Sequence, residues 1–430
     1  MVNDNWEIAR KTFRAFDPRP LKFSEQELYV DLDPARGDTD LVGKLSKGIL
    51  FSKRPTTQLV SGHNGSGKST ELGRLREVLQ QQRYFVVYFQ AGDDIDREDV
   101  DFLEILVAVV KQVLVQLREH LDISLHPGYF RDRFQRLGEL LTKEVEFDKL
   151  DLDAGLTSFG ISLKNSPTHR SQVRSLLETD TGNWLDAANS VLKEVNQKLS
   201  EKKLQGLVII VDDLDKMDVQ GLEGKRFDKA EQLFVNRAPQ MAGFGCHVIY
   251  TMPITLSRQL TQQRLRKLYD GEIPVVAMTK LFTSPPESKR FPRGWTAFRD
   301  IISRRLVAND LNEADVFGKG ARDELIRVSG GQPTALMSYI QSACKTAFPI
   351  TKRTVHQVAA AERRSYERQF LREHFSILSE IRQNGRFTPT EEQSERFDEL
   401  LLSRAVLQYV NDFEWYGLNP VIADLDWSRE

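Results

Sequence analysis

Apolar positions along this chain follow two rhythms, and the changes between them outline its elements. Thr57–Ser61 is a short β-type run. Leu72, Leu75, Val78 and Leu79 then recur at three- and four-residue spacing, which predicts a helix over Thr70–Gln82. Tyr84–Gln90 is aromatic and β-branched and reads as a second strand. Helical spacing returns from Val100 to about Leu121, and further helices are predicted over 131–145 and 170–202. Between those two, residues 151–164 alternate, with Phe159, Ile161 and Leu163 on one face, as in a small hairpin. Leu207–Val211 and His247–Thr251 are short apolar runs typical of buried parallel strands, and Ile273–Met278 is the next strand candidate.

Past Pro285 and Pro286 the pattern is helical, over Gly294–Ala308, Gly318–Ser329 and Pro333–Phe348. Helices follow near 355–383 and 391–403, then strands Ala405–Val410 and Phe413–Leu418 meeting at Asn411 and Asp412. Helices followed by a two-stranded hairpin are the order of a winged helix. At the other end, Pro18, Pro20, Pro34 and Gly37 interrupt any long helix, leaving an irregular lead-in that ends in a helix from Asp38 to Phe51.

Composition narrows the function classes. A chain of 430 residues has room for two or three domains, and its net charge of -2 supplies no general attraction for nucleic acid or an anionic membrane. No apolar run approaches the ~18 residues a bilayer span requires, and the first residues lack the apolar core of a secretory signal, so a cytoplasmic protein is expected. The two cysteines, Cys246 and Cys344, lie far apart, without the spacing of a zinc or redox site, and read as buried small residues. No repeat of solenoid length is present.

One segment changes the picture. Gly62-His63-Asn64-Gly65-Ser66-Gly67-Lys68-Ser69 satisfies G-x-x-x-x-G-K-[ST], and it stands after a strand and before a helix, as the motif requires. Its glycines allow successive backbone N–H groups to converge on phosphate oxygens, and the helix start adds its positive end. Lys68 is then placed to neutralise the β and γ phosphates and Ser69 to offer a hydroxyl oxygen to Mg²⁺, with Thr70 supporting the helix start. A second segment, Leu207 to Val211, ends in Asp212 and Asp213, at the carboxyl end of a strand where α/β sheets hold ligands. Asp212 is the candidate for the Mg²⁺ shell, and Asp213 the candidate to orient or deprotonate an attacking water. Thr251, ending the next strand, is a candidate polar sensor. Asp215 and Lys216 read as stabilisers of the following turn or of a contact with a neighbour, and Ser329-Gly330-Gly331-Gln332-Pro333 as a sharp break with Pro333 starting the next helix.

Taken in order, GHNGSGKST, LVIIVDDLDK, the threonine after the following strand, the SGGQP turn and the terminal winged-helix pattern resemble the STAND NTPases and the origin-recognition branch of the AAA+ ATPases, over about residues 40 to 425. The resemblance implies an α/β P-loop NTPase fold: a lead-in at 1–50, a parallel-sheet core at 51–284 with an insert around 100–203, a helical lid at 285–350 and a winged-helix domain at 351–430. It also implies ATP with Mg²⁺, a switch operated by nucleotide, and Pro333 near the nucleotide as part of a G-x-P motif. As partners it implies copies of the same chain or a separate effector, in a setting such as bacterial antiviral defence. Asp-Asp stands where many hydrolytic relatives carry Asp-Glu, so turnover is expected to be slow or absent. Thr279-Lys280-Leu281-Phe282 lacks the aspartate of a guanine-specifying motif, which leaves ATP. Arg258, Arg264, Arg266, Arg304 and Arg305 are all possible arginine fingers, and no motif selects one.

A DNA-binding initiator or transposition helper is the rival reading, and a nucleotide-holding scaffold without turnover is another. From residue 352 onward, 11 Lys and Arg face 14 Asp and Glu, which disfavours DNA. Arg363, Arg364, Arg368 and Arg372 lie at helical spacing but among Glu362, Glu367 and Glu373, and read as a solvated or ion-paired face. Trp415 and Tyr416 read as packing for the hairpin. A further basic cluster, Lys289, Arg290, Arg293 and Arg299, near the domain connection, is open to contact with nucleotide, nucleic acid or a partner, and the sequence does not choose among them.

Overall fold

The computed structural model describes residues 2–37, 39–125, 164–177, 181–217, 228–257, 259–410 and 413–425. The helix expected over 131–145 and nearly all of the hairpin expected over 151–164 lie outside the described residues. The fold is α/β. Strands β1 (Thr57–Gly62), β2 (Tyr84–Gln90), β3 (Gly206–Asp212), β4 (His247–Thr251) and β5 (Val275–Val276) form one parallel sheet in the order β2-β3-β4-β1-β5. The register runs Tyr84 opposite Gly206 through Gln90 opposite Asp212, and Thr57 opposite Val248. β1, β3 and β4 are buried nearly throughout, as the inner strands of a parallel sheet are, while β2 at the edge is half-buried at Tyr84, Tyr88 and Gln90.

The chain divides into two compact units. One comprises Val42–Ser61 and Arg74–Pro274. Its core is built from the inward residues of β2, β3 and β4 together with helices α4 (Phe102–Leu121) and α6 (Thr181–Glu201). Val109, Val113, Leu117, Val191, Val195 and Leu199 are fully buried there. Helix α4 begins on a reciprocal cap: Asp101 accepts the Phe102 N–H, and Glu104 accepts the Asp101 N–H. The helix predicted over 170–202 is two, α5 (Pro167–Leu177) and α6, on either side of residues outside the description.

The other unit comprises Met1–Leu41, Gly62–Gly73 and Val275–Glu430. It holds α1 (Val2–Ala15), the first residues of α3 (Lys68–Gln81), α8 (Pro292–Ala308), α9 (Ala321–Val328), α10 (Pro333–Thr346), α11 (Lys352–Glu367), α12 (Arg372–Asn384), α13 (Glu391–Leu402) and the antiparallel hairpin β6 (Val406–Val410) and β7 (Glu414–Leu418). In the first unit α2 (Leu41–Leu50) and α7 (Gln259–Leu268) complete the list used here. The amino-terminal segment is tied to α10, where Gln341 donates to the Phe13 carbonyl at 2.9 Å. Trp415 is buried and stacks on Tyr409 with centroids 4.4 Å apart, and Tyr416 meets Phe397 edge-on, so both aromatics pack the hairpin.

β5 is shorter than the predicted Ile273–Met278. The reason is where its backbone donors go: Met278 N–H bonds the Gln408 carbonyl at 3.0 Å, Thr279 N–H the Gly331 carbonyl at 3.2 Å, and Lys280 N–H the Ala35 carbonyl at 2.9 Å. Three successive donors serve three different segments, so no ladder continues. Of the cysteines, Cys246 is buried and Cys344 only half-buried.

Candidate functional site: the phosphate loop and the acidic strand end

The loop from Gly62 to Ser69 has the backbone its motif demands. Gly62, Gly65 and Gly67 sit at φ +145°, +82° and +101°, a region in which any side chain is disfavoured. A Cβ on Gly62 would lie 2.6 Å from the Val276 carbonyl oxygen, so close approach also requires glycine there. Lys68 is buried, and its Nζ donates to the carbonyls of Gly62 at 2.7 Å and His63 at 2.8 Å, holding the loop in an arc around the ammonium. Ser69 and Thr70 open α3, with Thr70 N–H and Glu71 N–H both on the Gly67 carbonyl at 3.1 Å. The Asn64 Oδ1 and Ser66 Oγ are buried with no hydrogen-bond partner among the described residues. The unpaired Ser66 hydroxyl, the glycine-only backbone and the buried ammonium suit an anionic ligand with several oxygens, while Asn64 Oδ1, an acceptor, does not contribute to that fit.

Two residues brace the loop that no motif marks. Arg36, fully buried, donates to the Ser66 carbonyl and lies 3.6 Å from Glu71, which also accepts from the Tyr29 hydroxyl at 3.3 Å. Burial pushes the Arg36 pKa down, and Glu71 opposes that. The second is Gln408 on β6. It faces Tyr416 across the hairpin, and its N–H points the other way and donates to His63 Nε2 at 2.8 Å. His63 must accept, so its neutral ring carries the proton on Nδ1. Burial, with Lys68 and Arg404 adding like charge, pushes the His63 pKa down to about 3. The imidazole is thus a structural acceptor rather than a loop side chain turned to ligand.

Pro333 does start α10, after Gly330 and Gly331 at φ +61° and +75°. A Cβ on Gly331 would stand 1.7 Å from the Thr279 carbonyl oxygen. The residue of this turn that meets the phosphate loop is its neighbour Thr334: a Cβ on Gly65 would lie 3.1 Å from the Thr334 Cβ and 3.9 Å from Arg404 Nη1.

In the sheet unit, Asp212, Asp213 and Thr251 cluster at the carboxyl ends of β3 and β4. Asp212 is buried and accepts from the Tyr88 hydroxyl at 2.6 Å and from the Asp213 N–H at 2.7 Å. Asp213 adopts a left-handed backbone, φ +76°, and its buried carboxylate is paired with both Arg97 and Lys216. Lys216 thus acts on Asp213 itself, beyond the turn-stabilising role read from sequence. Thr251 accepts the Leu214 N–H at 3.0 Å and fixes the turn that presents Asp213.

Several of the remaining basic residues have local partners, whereas Arg266 and Arg293 are exposed. Arg264 pairs with Glu231, Arg304 donates to the Glu27 and Tyr29 carbonyls, Arg305 is buried on the Ile301 carbonyl, and Arg258 lies outside the described residues. Lys289 pairs with Glu287, Arg290 lies 3.9 Å over the Trp295 ring and Arg299 pairs with Asp323 at 2.6 Å. Arg363 donates to the Val421 carbonyl, while Arg364, Arg368 and Arg372 are exposed. Among the described residues no helix is long and apolar enough to cross a membrane, and no three His, Cys, Asp or Glu side chains gather as a metal site.

No known family model and no curated protein matches this chain. Solved structures similar to it include a Walker-type ATPase of Pyrococcus abyssi, at 14% identity and TM-score 0.44 over 95% of this chain and 98% of that one. Others are Cdc6p from Pyrobaculum aerophilum, at 12% identity and TM-score 0.37 over 95% and 94%, and the ORC2 protein of Aeropyrum pernix, at 11% identity and TM-score 0.40 over 95% and 93%. The functional reading therefore stands on the chain's own residues.

Proposed function

We propose that this protein binds ATP with Mg²⁺ and works as a slowly hydrolysing molecular switch of the STAND or AAA+ kind, whose nucleotide state governs its self-assembly or its contact with a separate effector. The observation that carries the reading is the phosphate loop: three glycines at positive φ around the buried ammonium of Lys68. Lys68 neutralises phosphate charge, the backbone from Gly62 to Ser69 supplies donors, and Ser69 and Asp212 are the residues that would hold the metal, which supplies charge neutralisation at the phosphates. Asp213 is assigned the attacking water; this role and that of Asp212 rest on motif order along the chain.

A second reading, a scaffold that holds nucleotide without turnover, draws support from the ion pairs that Arg97 and Lys216 make with Asp213. A carboxylate whose oxygens are taken up by two cations is less available to accept a hydrogen bond from an attacking water, and slow turnover follows in either case. The domain plan of core, helical lid and winged helix remains part of the proposal, and DNA binding is not favoured.

The test is magnesium-dependent phosphate release, measured beside nucleotide affinity, for wild type, Lys68→Ala and Asp213→Ala. Loss of the charge-assisted contacts at Lys68 is expected to weaken nucleotide binding about tenfold to a hundredfold. Asp213→Ala is expected to keep binding and lose turnover. Equal activity in all three removes these assignments, and tight binding with no phosphate released by wild type selects the scaffold.

A further inference from the structure

A cavity of about 450 Å³ lies between α10 and α11, within one compact unit. Sites for small molecules span ~300–1,000 Å³, so this volume suits a ligand of metabolite size. No residue from Gly62 to Ser69 lines it, which sets it apart from the phosphate loop. One wall is internally bonded. Asn419 Nδ2 donates to the Tyr366 hydroxyl at 3.2 Å and to the Arg404 carbonyl at 3.1 Å, and the Tyr366 hydroxyl donates to the Ser403 carbonyl at 3.1 Å. These bonds fix the left-handed backbone of Arg404, φ +63°.

Four other lining groups have nothing to bond. Gln332 is 2% exposed and Tyr339 7%, yet neither the Gln332 amide nor the Tyr339 hydroxyl has a hydrogen-bond partner among the described residues. Neither belongs to the polar atoms sealed inside the protein, so both open onto the cavity they line. Burying such groups unpaired is costly, and a bound partner removes that cost. The Arg404 guanidinium and the Glu362 carboxylate line the same cavity, and neither makes an ion pair or hydrogen bond, with the other or with any further group, among the described residues. Both charges act on the Tyr339 hydroxyl: burial pushes its pKa up, Glu362 adds to that, and Arg404 opposes it. Cation, anion and neutral groups thus face one space.

We infer that this cavity binds a small zwitterion of the free amino-acid kind, its carboxylate on Arg404 and its ammonium on Glu362, with Gln332 and Tyr339 supplying the neutral hydrogen bonds. A ligand with only a negative charge leaves Glu362 uncompensated, and one with only a positive charge leaves Arg404 so; a molecule carrying both satisfies both. The site is separate from the nucleotide assignment above and does not depend on it.

The experiment screens the full chain by thermal melt against each standard free amino acid at about 10 mM, then measures binders by titration calorimetry for wild type, Glu362→Gln and Ser338→Met. Ser338 lines the cavity from α10, so a methionine there fills part of it. Expected is at least one amino acid that raises the melting temperature, with its affinity reduced about tenfold or more in Glu362→Gln and in Ser338→Met. The N-acetyl and amide derivatives of that amino acid each lack one end charge and are expected to bind about tenfold or more weakly. Saturating Mg²⁺-ADP is expected to leave the amino acid bound, because the phosphate loop lies outside the cavity. Glu362→Gln keeps the side-chain volume, and circular dichroism confirms its fold; should Ser338→Met fail to fold, Glu362→Gln and the two derivatives decide. No stabilisation by any amino acid overturns the inference, as does wild-type affinity in folded Glu362→Gln, undiminished binding of both derivatives, or complete competition by Mg²⁺-ADP.

Discussion

At the scale of single residues, His63 has a role its motif position does not announce. In a phosphate loop the second position is open to almost any residue, yet here the imidazole is buried and accepts the Gln408 N–H. Its pKa is pushed down to about 3 against an ordinary value near 6.5, so between those limits the unfolded chain binds a proton that the folded chain refuses. Stability from this group is complete above about pH 6.5 and is lost as pH falls toward 3. His63→Gln retains an acceptor and removes the titration. Its denaturant midpoint is expected to fall less steeply than that of wild type between pH 6.5 and 4; parallel slopes would show that His63 is not the titrating group.

At the scale of elements, the turn before α10 and the open edge of β6 do the same kind of work. Each satisfies backbone groups of the segment that leaves β5: Gly331 bonds Thr279, and Gln408 bonds Met278. An unpaired strand edge is otherwise open to another chain, and here part of it is capped within the same unit. The turn tolerates no side chain at Gly331, because positive φ and a 1.7 Å approach to the Thr279 carbonyl oppose a Cβ together. Gly331→Ala is expected to destabilise the protein by about 2–4 kcal/mol in equilibrium unfolding. A change within about 0.5 kcal/mol, the scale of neutral surface substitutions, would show that a side chain is tolerated at this turn.

For the whole molecule, two compact units and a net charge near zero frame what can be tested. A switch differs from a scaffold in that its assembly or shape follows the nucleotide. Mass in solution is therefore expected to differ between the protein with Mg²⁺-ADP and with Mg²⁺ and a nonhydrolysable ATP analogue, measured by light scattering during gel filtration. The same mass and elution in both would leave the switch reading without support. Nothing in the charge of the molecule predicts salt-sensitive attraction to duplex DNA, consistent with the excess of acidic over basic residues past residue 352.

The sequence by itself determined those features whose cause is local. Strands β1 to β4 are short runs rich in β-branched, aromatic and aliphatic residues, the long helices are periodic, and the phosphate loop needs particular residues at adjacent positions, so each leaves a contiguous mark. Tertiary structure alone decided the rest. β5 is cut short because its donors find partners in three distant segments, and Lys216 turns to Asp213 because the buried carboxylate draws a cation. Arg36, Gln408 and Arg404 reach the loop from far along the chain through single atoms. A lone backbone N–H or guanidinium meeting a loop across hundreds of residues has no period and no motif. The physical reason is that such contacts are fixed by where the chain folds back, whereas the phosphate loop is fixed by what its own backbone can adopt.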